Sequence, residues 1–295
     1  MLGGHNSMAK FTKEKFFGFI IISTLALPFL FLIFWPSQKL HLIACDVGQG
    51  DAILLSKGFT QILIDGGPNS KVLDCLSGNL PFWDRTIELI IATHADKDHI
   101  GGLVDVIERY SVNMIISNSI IVDTNVFKNF RKQILDKKIP VYSPQKGEKI
   151  KTNGVEFTVL WPPEKLGDIS IWQENSKEKV LGKTNIKDGR NDDSIVLHLK
   201  YKDFDAILTG DITSKVEKKI IQDYQFQDIE VLKVAHHGSK HSSCSEFLNA
   251  VNPRIAIISV GKNPWGHPTK EVLNRLQSIG AKVLRTDKEK IKIKI

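Results

Sequence analysis

Cysteine is scarce in this chain, and its few copies do not group. Cys45, Cys75 and Cys244 are an odd number at wide spacing, with no CxxC pair. Neither a disulfide framework nor a cysteine zinc knuckle is expected from them. Cys45 falls in an apolar, strand-like run and reads as a small core residue. Repeats at a solenoid period are absent, which excludes stacked-repeat architectures. No linker interrupts residues 40–295, so that stretch is expected to form one domain. Acidic charge is in deficit: 40 Lys and Arg face 33 Asp and Glu, for a net charge of +7. Such an excess is either a solvated surface or an attraction for polyanions such as nucleic acid and acidic lipid head groups.

One long hydrophobic run is present. Residues 16–35 read "FFGFIIISTLALPFLFLIFW", 20 residues without a charge. At 1.5 Å per residue this matches the roughly 30 Å hydrocarbon core of a bilayer. Lys10, Lys13 and Lys15 precede it, which favours a cytoplasmic N-terminus with the bulk of the chain outside. The expected organisation is a cytoplasmic tail at 1–15, an anchor at 16–36 closed by Trp35 and Pro36, and a soluble domain at 40–295. A cleaved signal peptide is the rival reading. The run is longer than the usual signal core, and no clear A-x-A site follows it.

After the anchor, short apolar runs alternate with Gly, Asp and Asn turns. Strands are expected in "LHLIA", "AILLS", "QILID", "TIELIIATH", "VNMIIS" and "GVEFTVLWPP". Further strands are expected in "DDSIVLHLKY", "FDAILTGDI", "IEVLKVAHHGS", "IAIISVG", "KVLRT" and "KIKIKI". Helical periodicity marks "GGLVDVIERY", "VFKNFRKQILDKK", "SKVEKKIIQDY", "CSEFLNAVN" and "TKEVLNRLQSIG". Residues 163–190 are polar and read as a loop or insertion. Many short strands with interspersed helices suggest two packed sheets with helices on their outer faces.

Chemistry concentrates where apolar strands stop. "THADKDHIGG" places His94, Asp96, Asp98 and His99 on one short loop. Imidazole nitrogens and carboxylate oxygens are the donors a divalent cation prefers. Two further strands end in metal-type residues: "AILTGDI" at Asp211, and "VLKVAHHGS" at His236 and His237. Adjacent strand residues point to opposite faces, so one histidine of the pair should turn toward the site. His94, Asp98, His99, Asp211 and one of that pair would hold two divalent ions bridged by a carboxylate and a water. Gly48, Gln49 and Gly50 either cradle a phosphate with backbone N–H groups or form a simple tight turn. Ser239 and His241 are candidate substrate contacts, and His198 reads as an ordinary strand residue.

The motifs "DVGQGDAILL", "ILIDGG", "THADKDHIGGL", "NDDSIVLHL", "ILTGDI", "LKVAHHGS" and "NPWGHP" occur in that order. Together they resemble the metallo-β-lactamase superfamily, and within it the ComEC-like branch, the C-terminal domain of a competence DNA-uptake protein. The resemblance covers about residues 40–295. It implies an α+β fold, the four-layer αββα sandwich. The wider superfamily carries H-x-H-x-D-H, whereas here the second histidine position is Asp96, as in the ComEC-like branch. A position where many relatives place another histidine falls in "GRNDDS", which has none.

Such an oxygen-rich set favours harder ions, so the cofactor is read as two divalent ions, Zn²⁺ or Mn²⁺. His94, Asp98, His99, Asp211 and His236 are the expected ligands, with Asp96 and His237 as further ones and Asp65 bracing the ligand loop from behind. Asp96 or Asp98 would take or orient a proton. His267, in the "NPWGHP" loop that the resemblance sets beside the site, would contact substrate or protonate a leaving group.

The expected function is a membrane-anchored phosphodiesterase or nuclease acting on DNA outside the cytoplasm. Lys233, Lys240, Lys262 and Arg285 are candidate phosphate contacts. The alternatives are hydrolysis of a small phosphoester or ester at the envelope, and a metal-binding surface module without turnover. A single anchor cannot be an uptake channel, so the expectation is either a separate membrane channel protein as partner or a role unrelated to competence.

Overall fold

The computed structural model describes residue 24 and residues 35–166, 169–172 and 190–295. The expected cytoplasmic tail and nearly all of the expected anchor lie outside the described residues. Among the described residues no helix is long and apolar enough to cross a membrane.

Two seven-stranded sheets dominate the described residues, with a two-stranded one formed by Thr86–Ile87 beside Ser111–Val112. The first runs, edge to edge, through Ile291–Lys294, His41–Ala44, Ile53–Lys57, Thr60–Ile64, Leu89–Ala92, Ile115–Ser117 and Val141–Tyr142. The second runs through Lys282–Arg285, Ile255–Ile258, Val231–Lys233, Phe204–Leu208, Val196–Tyr201, Val155–Trp161 and Lys149–Thr152. Each large sheet is antiparallel in one part and parallel in the other. The change comes at Thr60–Ile64 in the first and at Phe204–Leu208 in the second. Parallel neighbours need crossover connections, and these carry the helices. Lys71–Asn79, Lys97–Arg109 and Asn125–Asp136 cover the first sheet. Ser214–Asp223, Ser245–Val251 and Lys270–Ser278 cover the second.

Three apolar layers follow. Leu42, Leu55, Ile64, Ile91, Phe157, Leu197 and Leu208 fill the space between the sheets. Ile43, Leu54, Leu63 and Ile90 face the opposite way, under the first set of helices. Ile207, Leu232 and Ile258 do the same under the second. Strands buried on both faces read as unbroken apolar runs rather than alternating ones, which is how "LIIA" and "ILI" stand in the sequence.

The structure departs from the sequence reading in several places. The helix Lys71–Asn79 was not expected, because Pro68, Asn69, Ser70 and Gly78 around it look like loop. The run "TIELIIATH" is two strands, Thr86–Ile87 and Leu89–Ala92. They part at Glu88, whose carboxylate accepts the Gln61 backbone N–H at 2.6 Å. Cys45 is buried as expected, but it is bonded to Cys75, against the expectation of no disulfide. Spacing along the chain gave no sign of this, since folding brings residues 30 apart together.

Within 163–190 the described part includes Ile169–Trp172, and Trp172 is a core residue rather than loop. Its ring meets Phe127 and Phe130 edge-on, and its indole N–H donates to Ser119 Oγ at 2.9 Å.

Candidate metal centre

The loops at the strand ends of both sheets meet in one cleft. On the first sheet, Asp65 follows Thr60–Ile64 directly. Its carboxylate accepts from the Thr93 backbone N–H at 2.8 Å and from the Thr93 hydroxyl at 2.7 Å, and pairs with His99 Nδ1 at 2.7 Å. With Nδ1 held there, His99 presents Nε2 to Asp211 Oδ2 at 3.3 Å. The helix begins at Lys97 rather than at Gly101, because the Asp96 carbonyl accepts the N–H groups of His99 and Ile100.

The paired glycines have a steric cause. A Cβ on Gly102 would stand 2.1 Å from the Gly66 carbonyl oxygen, and one on Gly101 would stand 2.4 Å from that of Pro68. Only glycine lets this helix start pack against the loop that carries Asp65.

On the second sheet the strand stops at Lys233, and the histidines lie in a turn. His236 (φ 48°) and His237 (φ 54°) both take left-handed backbone conformations, at a cost of about 1–3 kcal/mol each. The opposite-face argument for a strand therefore does not apply to them. His237 Nδ1 sits 2.9 Å from the Ser259 carbonyl oxygen and 3.3 Å from Asp51 Oδ1. Its Nε2 lies 3.3 Å from both Asp98 Oδ2 and Asp211 Oδ2. His236 stands further out: its Nε2 is 4.0 Å from Asp211 Oδ2, and Asn191 Nδ2 lies 3.2 Å from its Nδ1.

Asp98, His99, Asp211 and His237 each offer a donor atom, and these atoms all lie within 4.8 Å of one another. His99 Nε2 is buried without a hydrogen bond, and so is His94 Nε2, whose ring centroid lies 4.0 Å from that of His99. Asp96 Oδ2 is 3.8 Å from His94 Nε2. Buried ring nitrogens left without hydrogen bonds beside carboxylates are the donor set a divalent cation takes. The residues present fit such ions.

The charges are heavily coupled. Burial opposes a charge on His99, but Asp211 and Asp65 outweigh it and hold its pKa well above the usual histidine value. His237 is raised in the same way, against burial, by Asp211 and Asp51. Asp211 is held well below the carboxylate range: burial works against this, and His237 and His99 prevail. Asp98 is lowered too, its burial overcome chiefly by the hydrogen bond from His237. For His94, burial and then the neighbouring His99 outweigh the carboxylates of Asp211, Asp98 and Asp51, and its pKa falls to about 3. Cations have to displace the protons shared within this group.

Two residues take places in this network that the sequence did not suggest: Asp51, which had no ion-pairing role there, and Lys233, which was expected to contact phosphate. Asp51 pairs with Lys233 and reaches His237. Lys233 is not a phosphate contact: it is 1 % exposed, ion-paired to Asp51, with its ammonium 3.9 Å from Asp211 Oδ1. A lysine inside the apolar run "VLKVA" was the available signal, since a lysine is almost never fully buried unless paired.

The remaining candidates spread around a cleft of about 1050 Å³ lined by Gly48, Gln49, Ser239, His241 and His267 among others. Gly50 lies behind it, where a Cβ would stand 2.3 Å from the Asp98 carbonyl oxygen. The Gly48 N–H goes to Asp46 and the Asp51 N–H to the Asp98 carbonyl, so much of this loop's donor capacity is spent internally. Burial, then His236, lowers His267 to about 4, so its imidazole is neutral at pH 7. Lys240 and Lys262 line the same cleft. Arg285 pairs with Asp287, and His198 pairs with Asp205 at 2.6 Å on its strand.

The profile of the metallo-beta-lactamase superfamily matches residues 45–262. ComE operon protein 3 of Bacillus subtilis is 27% identical over 286 residues, covering 88% of this chain and 34% of its own length. Recombination protein 2 of Haemophilus influenzae is 30% identical over 246 residues, covering 82% of this chain and 27% of its own. The chain thus spans about a third of the length of the curated relatives it matches.

Among solved structures, the metallo-beta-lactamase fold protein YhfI from Bacillus subtilis superposes with a TM-score of 0.57 at 10% identity, covering 87% of this chain and 100% of its own. A diphosphatase of the PhnP family gives 0.51 at 13% identity, covering 86% and 98%. At such identities the likeness is one of fold. With a profile over most of its length and strand-end motifs that meet at one donor cluster, the chain belongs to the metallo-beta-lactamase superfamily.

Proposed function

We propose that this chain is a metal-dependent phosphodiesterase acting on DNA at the outer face of the cell membrane, held there by residues 16–36. One observation carries the reading: Asp98, His99, Asp211 and His237 converge at an open cleft whose rim holds Lys71, Lys97, Lys240 and Lys262. None of these four lysines makes an ion pair among the described residues. Phosphate-rich substrates are held by such groups. Recombination protein 2 among the relatives supports DNA as the substrate, and a disulfide suits a location outside the cytoplasm.

Two divalent ions, Mn²⁺ or Zn²⁺, would be held by Asp98, His99, Asp211 and His237, with His94, Asp96 and His236 beside them. Bound there, they would supply an activated water and neutralise charge developing on phosphate oxygens. The chain does the rest. Asp65 fixes the His99 ring, and the Ser259 carbonyl with Asp51 fixes His237. Lys233 neutralises Asp51 between the sheets. His267, neutral and at the cleft wall, is placed to take or pass a proton on the substrate side.

The test uses the full chain purified in detergent, with labelled single- and double-stranded DNA and with Mn²⁺, Zn²⁺ or chelator. Cleavage is expected with metal only, and its loss in Asp98→Ala and His99→Ala. Turnover of a generic phosphodiester without cleavage of DNA would move the reading to a small phosphoester. Bound metal with no turnover of either would leave a metal-binding module.

A further inference from the structure

We infer that Trp265 is a stacking platform for an unpaired base flanking the scissile phosphate, so that the cleft takes single-stranded nucleic acid. This rests on the phosphodiesterase reading above and adds to it the state of the strand.

Trp265 is 64% exposed, in a fold that buries Trp172 to 9%. An indole in water forfeits the stabilisation that burial gives a large aromatic. The exposure does not come from a loose loop, because Asn263 locks the turn beneath it. Asn263 Oδ1 accepts the backbone N–H groups of Trp265 at 3.1 Å and His267 at 2.9 Å. Its Nδ2 donates to the carbonyls of Gly261 at 2.9 Å and His267 at 2.8 Å. The backbone that bears the indole is therefore fixed, and the ring stands exposed at the cleft.

Position and charge supply the occupant. The Trp265 and His267 rings are 6.3 Å apart and inclined by 31°. His267 lies 5.5 Å from His236, which adjoins His237 of the donor cluster at 6.0 Å. A file of rings thus leads from the rim to the donors. Lys240 and Lys262 line the cleft as well, and Lys71 and Lys97 come from the first turns of two helices over the first sheet. Cationic groups tracking a phosphate backbone, with an aromatic face beside them, are the physical basis of sequence-tolerant single-strand binding. In a duplex both faces of each base are already stacked on neighbours, so Trp265 has nothing to take.

The test compares the unaltered full chain in detergent with Trp265→Ala and Trp265→Phe. Affinity is measured by fluorescence anisotropy for a labelled thymidine 20-mer, the same phosphate backbone built from abasic units, and a 20-base-pair duplex. Trp265→Ala should weaken thymidine binding about 5- to 150-fold. It should leave abasic and duplex binding unchanged, and Trp265→Phe should restore most of the loss. Equal loss on the abasic strand or the duplex, or no loss on any, overturns the inference while DNA binding by the unaltered chain stands. No binding of any strand by the unaltered chain sinks the DNA reading itself. If Trp265→Ala loses binding only to vesicles of anionic phospholipid, the indole is a membrane contact and the stacking role is overturned.

Discussion

The two sheet layers present histidine to the same cluster by different means. The first brings His99 on the opening turn of a helix, an unstrained position, and fixes its ring with the Asp65 carboxylate. That layer is also stapled, since Cys45 next to the 46–51 loop is bonded to Cys75 on the helix Lys71–Asn79. The second layer brings His237 on a left-handed turn and fixes it with a backbone carbonyl, that of Ser259. Its cysteine, Cys244, is free and buried, and burial pushes the thiol up to about 11. One layer holds its ligand by covalent and side-chain constraint, the other by backbone conformation. The Asp51–Lys233 pair bridges the two.

Breaking that bridge should have the largest effect. Lys233→Met leaves Asp51 charged and buried, and should cost about 3–5 kcal/mol by denaturant unfolding. Adding Asp51→Asn should recover part of the loss. A single variant as stable as the unaltered chain would mean that the layers do not depend on the pair.

Reduction comes next. Opening Cys45–Cys75 releases a closure over 30 residues and should cost about 2–4 kcal/mol. Hydrogen exchange should quicken at 46–51 and 71–79 while the second layer keeps its protection. Equal loosening in both layers would erase the contrast.

Asp65→Asn should lower metal affinity or activity about 10- to 100-fold with little loss of fold. Metal titration followed by calorimetry reads it. Asn191→Ala, beside the more exposed His236, should change either quantity much less.

The smallest effect concerns Glu217, buried in the second layer, whose carboxylate accepts from Ser243 N–H at 2.5 Å and Cys244 N–H at 2.8 Å. Burial raises its pKa above the ordinary 4.5, and those N–H groups only partly offset this. A carboxyl with a raised folded-state pKa contributes stability that is present below 4.5 and lost as pH rises through the folded value. Stability relative to Glu217→Gln should therefore fall from pH 4 to pH 7, as read from urea midpoints.

Much of the site was legible because it is local. Apolar runs that end in His, Asp or Gly mark strands entering loops, and "THADKDHIGG" shows its donors within six residues. The glycine pair after them marks a close backbone approach, which the Gly66 and Pro68 carbonyls supply. The disulfide was not legible, because three scattered cysteines give no pairing. Lys233 was read as a surface cation because charge predicts exposure unless a partner is known, and its partner Asp51 is remote in sequence.

The sequence by itself determined most of the strands and helices, which strand ends bear metal-type donors, and that the chain carries one long uncharged apolar run. These follow from periodicity, turn residues and composition, all short-range properties. Only the tertiary structure decided that His237 joins the donor group while His236 stands at its edge, that Asp51 and Lys233 neutralise each other, and that Trp265 faces the cleft. Each depends on closures such as His237 to Asp98, 139 residues apart, whose geometry is set by the packing of two sheets rather than by any stretch of chain.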